Sequence, residues 1–179
     1  MTLPAPTVRV LVCGSADRGD DGAALNAVAH ILPLLDPILR QRVEVRRCLQ
    51  LDAADLIDVA EGESCLVLDT VVGVEPGTVV DIPLDELTSL EDAAPRSSHA
   101  LPISQVLGIA EAVRGQLPPG RLVGIGGKWF GFGQTRSRAL REGMPAFEVA
   151  AARAIEELAR PAGALAPALP ASVGPTGTR

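Results

Sequence analysis

The stretch from Val8 to Gly22 reads VRVLVC followed by GSADRGDDG, and it decides the fold. Val8 to Cys13 is a short run rich in β-branched residues that stops at Gly14. A run of that kind reads as a strand buried on both faces, the situation of a strand inside a parallel sheet. A polar loop punctuated by glycine follows from Gly14 to Asp20. Beyond it Ala24, Leu25, Val28, Ala29, Ile31 and Leu32 recur at roughly helical spacing until Pro33 and Pro37 end the run.

The same alternation continues along the chain. Val43 to Arg47 alternates apolar and charged residues, as a half-exposed strand does, and Ala53 to Ala60 reads as a short helix with Asp52 as N-cap. Ser64 to Thr70, SCLVLDT, is a second buried strand. Glu75-Pro76-Gly77 is a turn, Thr78 to Ile82 a further strand on an edge, and Pro83 to Arg96 a polar, irregular stretch. Ser98-His99 precede an amphipathic helix with Pro102 in its first turn and Ile103, Val106, Leu107, Ala110 and Val113 on its apolar face. Arg121 to Ile125 is the last strand. A closing helix spans about Pro145 to Ala159, with Phe147, Ala151, Ala154 and Leu158 inside. Strands alternating with helices predict a three-layer α/β/α fold: a mostly parallel, twisted sheet of about five strands with helices on both faces. Residues 1–160 form one domain, and the Pro/Ala/Gly-rich residues 161–179 read as a disordered tail.

Composition narrows the function. With 47% apolar residues but only 2% aromatics, the core is aliphatic. The net charge of -6 argues against nucleic acid or an anionic membrane as partner, since phosphate binding needs clustered Lys and Arg. The start of the chain lacks a signal-peptide pattern and no apolar run reaches spanning length, so a cytoplasmic protein is expected. Cys13, Cys48 and Cys65 are far apart in sequence, form no C-x-x-C, and read as reduced core thiols.

In a sheet of this kind the site lies beyond the carboxyl ends of the strands. The loop after Cys13 holds no G-x-G-x-x-G and no G-K-[ST], so it is not a phosphate cradle. Asp20 there reads as an N-cap of the first helix, whereas Asp21 has Gly22 beside it and room for close approach. Asp69 ends an apolar strand, where a carboxylate either caps a turn or meets a cation. His99 stands at a helix start, where the dipole favours the neutral, metal-binding ring; His30 reads as a surface or packing residue. Asp21, Asp69 and His99 together form an O/O/N set suited to Ni(II) or Zn(II) with open positions. No G-x-S-x-G elbow is present, and the thiols look too buried for a nucleophile. Trp129, Phe130 and Phe132 lie on a glycine-rich loop, Gly126 to Gly133, and form either a docking patch for substrate or a small local cluster.

R-G-D-D-G after the first strand, V-L-D-T-V closing a later one, P-G-T behind it and S-S-H before a helix come in the order of the hydrogenase maturation proteases, and residues 8 to 159 resemble that family. The resemblance implies an endopeptidase that removes the C-terminal extension of a [NiFe] hydrogenase large-subunit precursor after nickel insertion. It implies that Ni(II) presented by the substrate is the recognition signal, met by Asp21, Asp69 and His99, with no organic cofactor. The family's D-G-G-T stretch is replaced here by Cys48-Leu49-Gln50-Leu51, followed by Asp52, and its G-I-Q-P type segment by Gly124-Ile125-Gly126-Gly127 and the aromatic loop. Two other readings stay open: a nickel-sensing or chaperone-like module that binds the large subunit without cleaving it, and a metal-dependent hydrolase of a small molecule.

Overall fold

Strand β1 (Val8–Cys13) is buried at every position and lies inside the sheet, next to one of its edge strands. A computed structural model describes residues 7–89, 96–97, 101–133 and 135–160 of the chain. The other strands are β2 (Val43–Cys48), β3 (Ser64–Val72), β4 (Val79–Pro83), β5 (Arg96–Ser97) and β6 (Gly120–Gly126). They are ordered β2-β1-β3-β6-β4, with β5 paired to the end of β3. Strands β1, β2, β3 and β6 run parallel, whereas β4 and β5 are antiparallel to their neighbours. The predicted edge strand is β4, and its direction follows from the tight Glu75-Pro76-Gly77 turn that sends the chain straight back.

Each face of the sheet carries its own apolar layer. Val8, Val10, Val12, Leu66 and Leu68 face α1 (Ala23–Ile31) and a long closing helix, numbered α6 below. Leu11, Cys13, Cys65, Val67 and Val71 face the opposite layer. That layer consists of α3 (Ala53–Ile57), α4 (Leu84–Leu87) and α5 (Ile103–Arg114); α2 (Pro37–Arg40) is one short turn between α1 and β2. The three-layer expectation holds. The N-cap at Asp52 holds as well: its carboxylate accepts from Ala54 N at 2.8 Å, and Asp55 answers as the second half of a capping box.

Three details differ from the sequence reading. Helix α6 spans Arg138–Leu158 and starts well before Pro145, which lies inside it. Gly143 and Pro145 look like breakers, but Ser137 caps the helix by accepting from Leu140 N, and Gly143 packs directly on Gly77 with no space for a side chain. The stretch after Pro83 is not wholly irregular: Leu84 and Leu87 of α4 are buried in the core. Val113 is 64% exposed and belongs to the outer face of α5. His99 and the tail 161–179 lie outside the described residues. Among the described residues no helix is long and apolar enough to cross a membrane.

Candidate functional site

The sheet order makes a crevice. The chain leaves β1 toward β2 on one side, and β3 lies on the other, so the loops after β1 and β3 diverge at their carboxyl ends. Asp21 and Asp69 both sit there. Gly14 turns the chain out of β1 with φ +116°, a conformation that L side chains avoid. A Cβ at Gly14 would also collide with the Asp21 carbonyl. That close approach lets Ser15 N donate to Asp21 Oδ2 at 2.9 Å, fixing a carboxylate whose residue is only 1% exposed.

Asp69 is fully buried in β3, opposite Gly124 of β6. Thr70 N donates to its Oδ1 at 2.7 Å. Strand alternation puts the Asp69 side chain on the face shared by Val67, Val71 and Cys13. The Cys13 thiol reports this proximity: the bond to Cys48, burial and the negative Asp69 all push it well above the ordinary thiol range. Both carboxylates therefore lie near the Cys13-Gly14-Ser15 turn, Asp21 against Ser15 N and Asp69 near the Cys13 thiol.

The structure thus describes two members of the expected set, Asp21 and Asp69, while His99 lies outside the described residues. The chain just before it is placed: Ser97 and Arg96 pair with Val71 and Val72, immediately past Asp69. Among the described residues alone, no group of three or more His, Cys, Asp or Glu side chains forms a metal site. Asp21 opens into a cleft of about 600 Å³ lined by Ser15, Arg18, Leu49, Gln50 and Asp52. Gln50 and Asp52 also rim a second, apolar hollow beside Ile103, Val106 and Ile109.

Asp20 corrects the sequence reading. It does not cap its own helix. Its buried carboxylate reaches across to the aromatic loop and to the start of α6. Oδ2 accepts from Lys128 N at 2.8 Å, Trp129 N at 3.0 Å and Ser137 Oγ at 2.7 Å, and Oδ1 accepts from Ser137 N at 2.7 Å. Burial pushes this carboxyl up, but the N–H groups of Lys128 and Ser137, the Ser137 hydroxyl and Trp129 N outweigh it and hold it below the usual range. Nothing local in the sequence announces these partners, because they lie more than a hundred residues downstream.

The loop bearing Trp129, Phe130 and Phe132 is consequently tied down at its base. Besides the Asp20 carboxylate, Asp20 N donates to Trp129 O at 2.8 Å and Gly19 N to Gly133 O at 2.6 Å. Gly19, at φ +46°, leaves room against the edge of the Trp129 ring that a side chain would fill. Trp129 is 54% and Phe132 86% exposed, while Phe130 is half-buried. The Arg18 guanidinium lies 5.3 Å from the Phe132 ring centroid, a cation–π pair at the mouth of the cleft. The aromatic side chains split between the two readings: Phe130 folds inward and the other two project.

His30 is a surface residue, its Nδ1 2.9 Å from Glu148 Oε1. Cys48 is only half-buried, so the expectation of three buried thiols does not hold.

Neither a family model nor a curated protein matches the sequence. The fold does match solved structures. The [NiFe] hydrogenase maturation protease HybD from Thermococcus kodakarensis is 23% identical with a TM-score of 0.62, covering 86% of this chain and 99% of that one. The hydrogenase maturating endopeptidase HybD from E. coli is 17% identical with a TM-score of 0.65, covering 85% and 93%. The [NiFe] hydrogenase maturation protease HycI from Thermococcus kodakarensis is 20% identical with a TM-score of 0.59, covering 83% and 92%. At such identities the likeness shows the fold, and nearly the whole length of each of these proteins is spanned by it.

Proposed function

We propose that this chain is a maturation endopeptidase that trims the C-terminal extension of a [NiFe] hydrogenase large-subunit precursor once nickel has been inserted. The observation that carries the reading is the pair of buried carboxylates, Asp21 and Asp69, brought to the carboxyl ends of β1 and β3 at the switch point of the sheet. Buried carboxylates are either paired within the protein or hold a cation, and a ligand crevice is where a cation can reach them. The shared fold with maturation proteases supports the same reading.

In this account Ni(II) arrives with the substrate. Asp21 and Asp69 offer hard oxygen donors, and His99 offers a nitrogen, so the set meets a metal already held by the precursor. Docking the metal there orients the polypeptide beside it, which places the scissile bond over the cleft next to Asp21. The metal's chemistry is that of a Lewis acid toward a carbonyl or a water. Ser15 N, through Asp21, and Thr70 N, through Asp69, keep the carboxylates oriented. Trp129 and Phe132 offer apolar contact to the body of the precursor at the rim.

Purified chain incubated with nickel-loaded precursor should shorten the large subunit, read by intact mass, and nickel-free precursor should remain full length. Binding without a change of mass would reassign the chain to a non-cleaving module. The rim makes a separate prediction. Phe132→Ala removes a ring that packs on little else, so its unfolding free energy should move by less than about 0.5 kcal/mol. Its KM for precursor should nevertheless rise several-fold with kcat kept. An unchanged KM would remove Phe132 from the docking surface.

A further inference from the structure

Cys13 and Cys48 are 35 positions apart in sequence, yet they are in-register partners on the parallel strands β1 and β2. Their Sγ atoms are 3.3 Å apart. Neighbouring strands run about 4.8 Å apart, inside the span of about 4.4–6.8 Å between Cα atoms that a disulfide bridges. Both residues are free thiols; Cys13 is buried and Cys48 is half-buried. Cys65 differs: it lies at the start of β3, paired in register with Arg9, and burial above all pushes its thiol up to about 12.

We propose that Cys13 and Cys48 are an oxidation site, closing a reversible disulfide across the ends of β1 and β2 when hydrogen peroxide is present. Cys48 is the more open thiol and reacts first. Its sulfur attacks one peroxide oxygen, an S–O bond forms, the O–O bond breaks, and the departing oxygen leaves as water with the thiol proton. The Cys13 sulfur then attacks the Cys48 sulfur. The S–S bond forms, the S–O bond breaks, and the second oxygen leaves as water carrying the Cys13 proton. Two thiols have lost two hydrogens and one peroxide has become two waters. Cys13 suits the second role because it is buried away from the oxidant and its sulfur already lies 3.3 Å from that of Cys48. Thiol pairs that rest reduced and close on oxidation are the usual form of disulfide in a reducing compartment.

The position links this chemistry to the cleft. Bonding draws the sulfurs from 3.3 Å to about 2.05 Å. Gly14 N donates to Cys48 O at 3.1 Å, and Ser15, which holds Asp21, comes next. On the other strand Leu49 and Gln50, the residues after Cys48, line the cleft. The bridge thus forms one or two residues before segments that line the cleft, and its effect on precursor processing rests on the function proposed above.

The test uses the full wild-type chain. After exposure to hydrogen peroxide it is unfolded, alkylated and mapped by mass spectrometry. The expected result is a Cys13–Cys48 cross-link, lighter by about 2 Da than the two free thiols, with Cys65 alkylated and the link reversed by dithiothreitol. Recovery of both Cys13 and Cys48 as alkylated thiols, or Cys48 as sulfinic acid beside an alkylated Cys13, would overturn the proposal. Oxidised chain should also lose precursor processing and regain it on reduction. A chain that never processes precursor but still forms the cross-link refutes the protease reading and leaves the oxidation site standing.

Discussion

Asp69→Asn should lower processing of nickel-loaded precursor by roughly 100-fold or more, beyond the 10–100-fold lost when an outer partner of a metal site is removed. The amide keeps the shape of the side chain and an oxygen to accept from Thr70 N, which now donates to Oδ1 at 2.7 Å. What it removes is the negative charge. Asp69 is fully buried, and burying a charge costs free energy that a neutral isostere avoids. The variant should therefore lose processing by far more than any loss of folded protein accounts for, because it has lost its oxygen donor to the metal. Asp21→Asn should behave alike, because an Asn oxygen still accepts from Ser15 N. Intact-mass kinetics beside a thermal melt separates the two effects. Near-normal processing by either variant would take that carboxylate out of the site.

Asp20→Asn should do the opposite: it should weaken the fold by about 3 kcal/mol or more, whatever it does to activity. Both carboxylate oxygens accept N–H or O–H donors, three on Oδ2 and one on Oδ1. An amide offers one oxygen. In either orientation its NH₂ faces donors and leaves at least one of them unsatisfied in a buried place. Urea unfolding at neutral pH measures the loss, and a shift under about 1 kcal/mol would show that the anchor is dispensable.

The same carboxylate gives stability a pH dependence of known sign. Its folded pKa lies below the unfolded value of about 3.9, because the donors around it favour the charged form. Its contribution is complete above that unfolded value and is lost as the pH falls through the folded one. The gap in stability between wild type and Asp20→Asn should hold steady through the neutral range and close only below about pH 4.

The contrast between Asp20 and Asp69 shows what a sequence can carry. Asp69 stands out because it interrupts an apolar strand, and a buried charge in a strand needs a reason wherever the strand goes. The buried runs of β1 and β3 and the periodicity of α1 are similarly local. Asp20 has its reason in Lys128, Trp129 and Ser137, so its part as an anchor exists only once the sheet is assembled. Gly14 was legible as the end of a strand, but its collision with the Asp21 carbonyl was not, since that depends on how the loop curls back. The Cys13–Cys48 contact needs the strand order, which alternation of strands and helices leaves open. The start of α6 was hidden by residues that break isolated helices, Gly143 and Pro145. There a capping serine and the packing against Gly77 outweigh local propensity.

The two outer strands carry features that oppose edge-to-edge pairing. An open sheet with bare edges invites edge-to-edge aggregation. On β2 the exposed rim is charged: Glu44 meets Arg9, and Arg46 lies near Asp55 and Asp58. On β4, Asp81 engages Arg121, and Pro83 withholds a backbone donor. A polypeptide seeking to add itself as a further strand would have to strip these ions of their partners. The margins of the sheet are thus guarded by paired ions and a proline against the addition of a further strand.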